Sequence, residues 1–219
     1  MIMAPGLRRF TFTTHIMSSI GWVGAVIAFL ALAVIGLTSE DEKTVRGAYL
    51  VMAPAAWFVL VPLAHASLLS GIALSLGTTW GLFRQYWVVL KLLITVFATA
   101  ILLIYMGTFR EMAGVAADPV AELGLVRNPS PMVHALFALV LLMIATVLGV
   151  YKPFGMTAYG SRKQAEQRQA FAVTVLPLAE TVPSMTSTTT PRWTYLAGII
   201  AIGIALFLLL HLLGAGLQH

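Results

Sequence analysis

The sequence predicts an all-α, polytopic membrane protein. A bundle of four transmembrane helices is followed by a fifth, C-terminal one, and the N-terminus lies in the cytoplasm. Three observations point there. Of 219 residues, 59% are hydrophobic and only 10% are charged, with a mean hydropathy of +0.92; soluble domains carry about 25% charged residues. The apolar residues gather into five runs, each of the roughly 20 residues that cross a bilayer as a helix. The charges lie between those runs, and unequally on the two sides.

The runs are Phe12–Leu37, Tyr49–Leu76, Tyr86–Gly107, Pro131–Tyr151 and Trp193–Leu213. Each should be helical, because lipid offers no hydrogen-bond partners to an open backbone. The first run is too long for a cleavable signal peptide, and it lacks a small-x-small site before a polar mature chain. The short polar TSEDEKTVRG that follows should tie the first two spans into an antiparallel pair. Pro54 and Pro62 predict a kink in the second span. The aromatic connection GTTWGLFRQYW suits a membrane–water interface. A longer loop, Thr108–Ser130, ends in RNPSP before the fourth span.

Residues 152–192 are the one sizeable soluble segment. Its RKQAEQRQ reads as a short surface helix and its PSMTSTTTP as a flexible linker. The expected organisation is therefore a four-helix transmembrane bundle over 1–151, a cytoplasmic loop over 152–192, and a last helix with a short tail over 193–219.

The net charge of +5 does not point to nucleic acid, because the basic residues form no continuous face. They report topology. With the N-terminus inside, the inner segments hold Arg8, Arg9, Arg84, Lys152, Arg162, Lys163, Arg168 and Arg192 against Glu166 and Glu180. The outer ones hold Lys43, Arg46, Arg110 and Arg127 against Glu40, Asp41, Glu42, Glu111, Asp118 and Glu122. That bias fits a bacterial cytoplasmic (inner) membrane protein with its N-terminus in and its C-terminus out. The absence of cysteine removes disulfides, iron–sulfur clusters, thiolate metal sites and covalent haem attachment. No Walker-type loop or dinucleotide fingerprint is present.

Ionisable residues inside a membrane are costly and are functional candidates by default. There are five: His15, His65, Lys91, His134 and His211. At about 1.5 Å per residue, His15 lies roughly 5 Å, Lys91 roughly 8 Å and His65 roughly 10–16 Å inside the cytoplasmic boundary. These three can share the inner half of one bundle. His134 and His211 lie within about 5 Å of the outer ends of their spans and can face each other there. The plain alternative is that residues this close to an interface snorkel to the headgroups.

Neutral imidazole binds haem iron, copper and zinc, and a helical bundle can clamp a flat macrocycle. On the face of His15 lie Ser19, Trp22 and Val26, and small residues Ala66, Ser67, Ser70 and Gly71 surround His65. Small residues equally serve tight helix packing. Arg8, Arg9 and Arg84 stand at the inner boundary, where haem propionates would need cations. Zinc catalysis fits poorly, without HExxH or an intramembrane carboxylate. Copper remains open through the methionines and Met132-x-His134.

The stretch THIMSSIGWVGA, with His15 seven residues before Trp22 and with Gly21 and Gly24, resembles the first helix of two bacterial families. One is the integral-membrane, haem-dependent protoporphyrinogen oxidase family; the other is the copper-resistance D family. Tyr86-Trp87-Val88-Val89-Leu90-Lys91-Leu92 resembles the third-helix pattern of the oxidases. The resemblance covers residues 10–151 and implies that His15 and Lys91 are the residues associated with haem b. It does not account for His65, His134, His211, the long inner loop or the fifth helix.

The resulting expectation is a b-type haem protein in electron transfer or membrane redox chemistry, holding one or two haems. His15 would be an axial ligand, with His65 or Lys91 opposite or beside it, and His134 and His211 would serve a second haem. Its partners would be the lipid bilayer and another membrane redox protein or a quinone. The alternatives are a copper-handling membrane protein and a cofactor-free accessory subunit of a larger complex.

Overall fold

The computed structural model describes residues 3–78, 81–153 and 155–175 and the positions 203 and 205. The chain divides into two compact units, Met1–Leu82 with Trp87–Lys152, and Phe83–Tyr86 with Pro153–His219. Among the described residues the regular structure is helical, apart from one isolated bridge between Gln85 and Met156.

Among the described residues, four helical stretches are long and apolar enough to cross a membrane, as in a multi-pass membrane protein: Pro5–Thr38, Glu42–Gly77, Tyr86–Ala117 and Ser130–Tyr151. The fifth run, Trp193–Leu213, and His211 lie outside the described residues save Gly203 and Ala205.

Helix α1 (Pro5–Thr38) starts seven residues before the apolar run, with Pro5 in its first turn, where a missing N–H costs nothing. Ser18, Trp22, Val26, Phe29, Ala33 and Gly36 recur every three or four residues and form its buried face. At Gly36 a β-carbon would lie 2.9 Å from Cζ of buried Tyr49, so only glycine lets that ring rest on α1.

Helix α2 (Glu42–Ala55) is capped by Asp41, whose Oδ2 accepts from the Thr44 hydroxyl and, at 3.0 Å, from the Thr44 N–H. Those bonds hold the Asp41 carboxyl below the usual carboxylate range. One π-helical turn, Ala56–Leu60, joins α2 to α3 (Val61–Gly77). It sits between Pro54 and Pro62. Proline removes a backbone donor and obstructs the preceding turn, and a widened turn relieves both. The two prolines expected to kink this span thus act through a π turn.

Helix α4 (Tyr86–Ala117) continues past Gly107, where the apolar run was expected to end. The segment from Thr108 to Ala117 contains no proline, and it buries Phe109, Met112 and Ala116 on the same face as Tyr105. The connection to α5 (Ser130–Tyr151) is correspondingly shorter than Thr108–Ser130, spanning 118–129 with one 3-10 turn at Leu123–Leu125.

α1 packs along α2, α3 and α5. Aromatic contacts bring α4 in: Phe29 and Phe109 have ring centroids 4.8 Å apart, as do Tyr105 and Phe109.

At the end of the bundle remote from Arg8, Arg46 of α2 fastens the 118–129 connection. Its guanidinium donates to the carbonyls of Asp118 at 2.6 Å and Ala121 at 2.9 Å, and to Glu42 Oε1 at 2.7 Å. Its side chain is only 15% exposed. Charged hydrogen bonds of this kind contribute about 1.5–3 kcal/mol each and are not additive. Arg46→Ala should therefore lower stability by about 2–3 kcal/mol, read as a lower melting temperature in detergent. Arg46→Lys should recover only part of it, because an ammonium lacks the fork that reaches several carbonyls at once.

In the second unit, helix α6 (Ala158–Val175) contains the expected RKQAEQRQ helix, and its charged residues are mostly exposed. Thr157 Oγ1 donates to the Phe83 carbonyl at 2.6 Å. A β-carbon on Gly160 would fall 2.3 Å from the Arg84 carbonyl oxygen, so the helix approaches the 83–86 turn through bare backbone.

Candidate functional site

Three helices bring polar side chains together inside the first unit. His15 projects from α1 toward α3. Its Nδ1 lies 3.0 Å from the Ser67 carbonyl oxygen and 3.1 Å from Ser70 Oγ. Its Nε2 lies 3.2 Å from Lys91 Nζ on α4. Two constraints fix the tautomer. The Ser67 carbonyl can only accept, so Nδ1 carries the hydrogen; Lys91 is a donor, so Nε2 presents its lone pair. A ring held at Nδ1–H by a carbonyl is the arrangement that metal-binding histidines use; here the Nε2 lone pair accepts from Lys91.

Serine supplies the holding groups without bulk. Ser67 is also bonded to Ser19 of α1, Oγ to Oγ, at 2.8 Å. Two glycines leave room around the pair. A β-carbon on Gly71 of α3 would meet His15 Cε1 at 3.1 Å, and one on Gly149 of α5 would meet Lys91 Nζ at 3.1 Å.

The pair borders a cavity of about 320 Å³, within the roughly 300–1,000 Å³ of small-molecule sites. Phe12, Leu68, Ile72, Leu82, Trp87 and Leu92 form its apolar walls, and Arg8, Lys91 and Lys152 are its charged residues. Among the described residues no carboxylate lines it. A smaller void of about 20 Å³ lies between Trp22, Lys91 and the hydroxyls of Ser19, Ser67, Thr95 and Thr146. It has the size and polar lining that hold a single buried water.

The other expected site residues fall elsewhere. His65 donates from Nδ1 to its own helix, at the Val61 carbonyl 2.8 Å away, and does not line the cavity. The reason is angular. Ser67, Ser70 and Gly71 share a helix face, and His65 stands two residues before Ser67, about 200° round. The small residues that seemed to surround His65 face His15 instead.

Trp22 is 2% exposed and sits two turns along α1, in the core and not on the cavity wall beside His15. Arg9 is exposed and is not among the lining residues. Arg84 belongs to the second unit, where its Nη2 donates to Gln167 Oε1 at 3.0 Å.

His134 lies at the opposite end of the bundle. Its Nδ1 is 2.8 Å from the Ser130 carbonyl oxygen, and its ring stacks on Tyr105 with centroids 4.2 Å apart. It borders a separate apolar cavity of about 60 Å³ shared with Trp22, Phe29 and Phe109.

Among the described residues, no three His, Cys, Asp or Glu side chains assemble into a set that would hold a metal ion. A haem iron asks less, since its macrocycle supplies the equatorial ligands and the protein only axial ones. His15 Nε2 fits that role. An iron between His15 and Lys91 would need the two nitrogens roughly 4 Å apart, at 2.0–2.1 Å per metal–imidazole bond. They stand 3.2 Å apart and bond to each other. The lone pair of His15 Nε2 is thus taken up by Lys91, and an iron on that nitrogen would have to displace the lysine.

Lys152 and Phe12 were not singled out by sequence reasoning as site residues. The signal for Lys152 was a lysine directly after the last residue of an apolar run, where glycine commonly ends a helix. Comparison with family profiles, curated proteins and solved structures finds no match to this chain.

Proposed function

We propose that the protein binds a b-type haem within the membrane, through His15, and takes part in electron transfer or membrane redox chemistry. One observation supports this above the others: an imidazole tethered at Nδ1 borders a largely apolar cavity whose charged residues, among those described, are all cationic. That cavity suits a flat, apolar, anionic ligand. The resemblance of the His15 and Lys91 segments to haem-dependent membrane oxidases agrees with it.

A bound haem would supply reversible one-electron chemistry. The chain's own residues have separable tasks. Ser67 and Ser70 orient His15. Lys91 holds the His15 Nε2 lone pair at 3.2 Å and would release it to the bound group. Phe12, Trp87 and Leu92 exclude water. The charge bias supports an N-terminus in the cytoplasm of a bacterial inner membrane, which would put the cavity in the cytoplasmic half, and the apolar run Trp193–Leu213 is long enough for a fifth crossing.

The test is an absorption spectrum of the detergent-purified protein, oxidised and dithionite-reduced, with a pyridine haemochrome assay. The expected result is a Soret band, a sharp reduced α band and one haem per chain. A flat visible spectrum from cells supplied with ample haem would remove the haem reading. Copper without iron by metal analysis would favour copper handling.

A further inference from the structure

Lys152 is the one non-glycine residue with positive φ among the described residues, at φ 44° and ψ 60°. Its N–H closes α5 on the Leu148 carbonyl at 3.0 Å. Glycine makes that closure without the steric conflict a β-carbon brings, and it is the usual residue there. The backbone alone gives no reason for a lysine. Its side chain also lines the cavity.

Arg8 lies two turns before His15 on α1, about 10 Å along the axis. Lys152 lies three residues beyond Gly149, the α5 residue level with Lys91, about 4–5 Å farther along α5. The cavity thus runs from a ligating histidine inside to two cations nearer the end of the bundle.

We infer that Arg8 and Lys152 form a carboxylate-binding mouth, which holds the acidic edge of the ligand while His15 holds its centre. The inference rests on the haem reading and assigns the ligand's propionates to this pair. Arg9, the other first-unit cation expected for that task, does not line the cavity.

The experiment compares haem with haem dimethyl ester, whose carboxylates are blocked, in phosphatidylcholine nanodiscs. Wild-type protein and the full-length Lys152→Gly variant are titrated with both ligands by absorption. Wild type should bind haem about tenfold or more tightly than the ester, the scale of one or two charge-assisted hydrogen bonds. Lys152→Gly should weaken haem binding about tenfold, leave ester binding unchanged and leave the melting temperature no lower, because glycine suits this backbone. Arg8→Gln should give the same selectivity loss.

Equal wild-type affinity for acid and ester would overturn the mouth while leaving the haem reading intact. So would a Lys152→Gly variant that weakens both ligands alike. Binding of neither ligand by wild type would overturn the haem reading, and the mouth with it.

Discussion

His15→Ala is expected to abolish the Soret band while the bundle stays folded. The imidazole carries a lone pair suited to iron and a hydrogen-bonded tether that fixes the ring. Among the described residues no second histidine lines the cavity to take over. Loss of the ring leaves Lys91 without its His15 bond and the Ser67 carbonyl without its donor. The cost should be about 1–3 kcal/mol in melting experiments, and cavity water can offset part of it. Controls make the result specific. His65→Ala should retain the spectrum, because His65 bonds only the Val61 carbonyl of its own helix. His134→Ala should retain it too, since that ring lies against Tyr105 at the other end of the bundle. A full Soret band in His15→Ala, lost instead in His65→Ala, would relocate the ligand to the other face of α3.

How far the sequence reached follows from which patterns it contains. Apolar runs mark membrane helices because lipid penalises every alternative, so the four described spans were legible. Their ends were less so. Thr108–Ala117 is helical because Phe109, Met112 and Ala116 pack on the face of Tyr105, yet Arg110 and Glu111 make the segment read as a loop. In the site, His15 and Lys91 were legible as polar residues at matching depth, and the structure places them 3.2 Å apart. His65 was equally conspicuous but points elsewhere, because depth says nothing about angle around a helix. The small residues near it were noticed for the wrong histidine. Lys152 escaped because its task depends on α5 ending beside α1, a relation between distant segments that no local pattern contains.

Gly71→Leu should remove bound haem as completely as His15→Ala, without touching a ligand. A β-carbon at Gly71 already stands 3.1 Å from His15 Cε1 and 3.5 Å from Nδ1, tighter than ordinary contact. Alanine there asks the ring to yield by a few tenths of an ångström, so Gly71→Ala should keep haem with a shifted Soret band and affinity lower by several fold. Leucine adds a branched side chain that must occupy the cavity or drive the imidazole from it. The helix itself should not suffer, since replacing a mid-helix glycine with alanine or leucine favours it by up to about 1 kcal/mol. Gly149→Ala is the matched control. Its β-carbon would meet only the Lys91 side chain, Nζ at 3.1 Å and Cδ at 4.0 Å, and yielding there costs at most the Lys91 bond to His15 Nε2, which a ligand on that nitrogen would displace in any case. Gly149→Ala should therefore bind haem close to normally. If Gly71→Leu held haem at full stoichiometry with an unshifted spectrum, the ligand would not lie against His15, and the cavity beside it would have to serve something else.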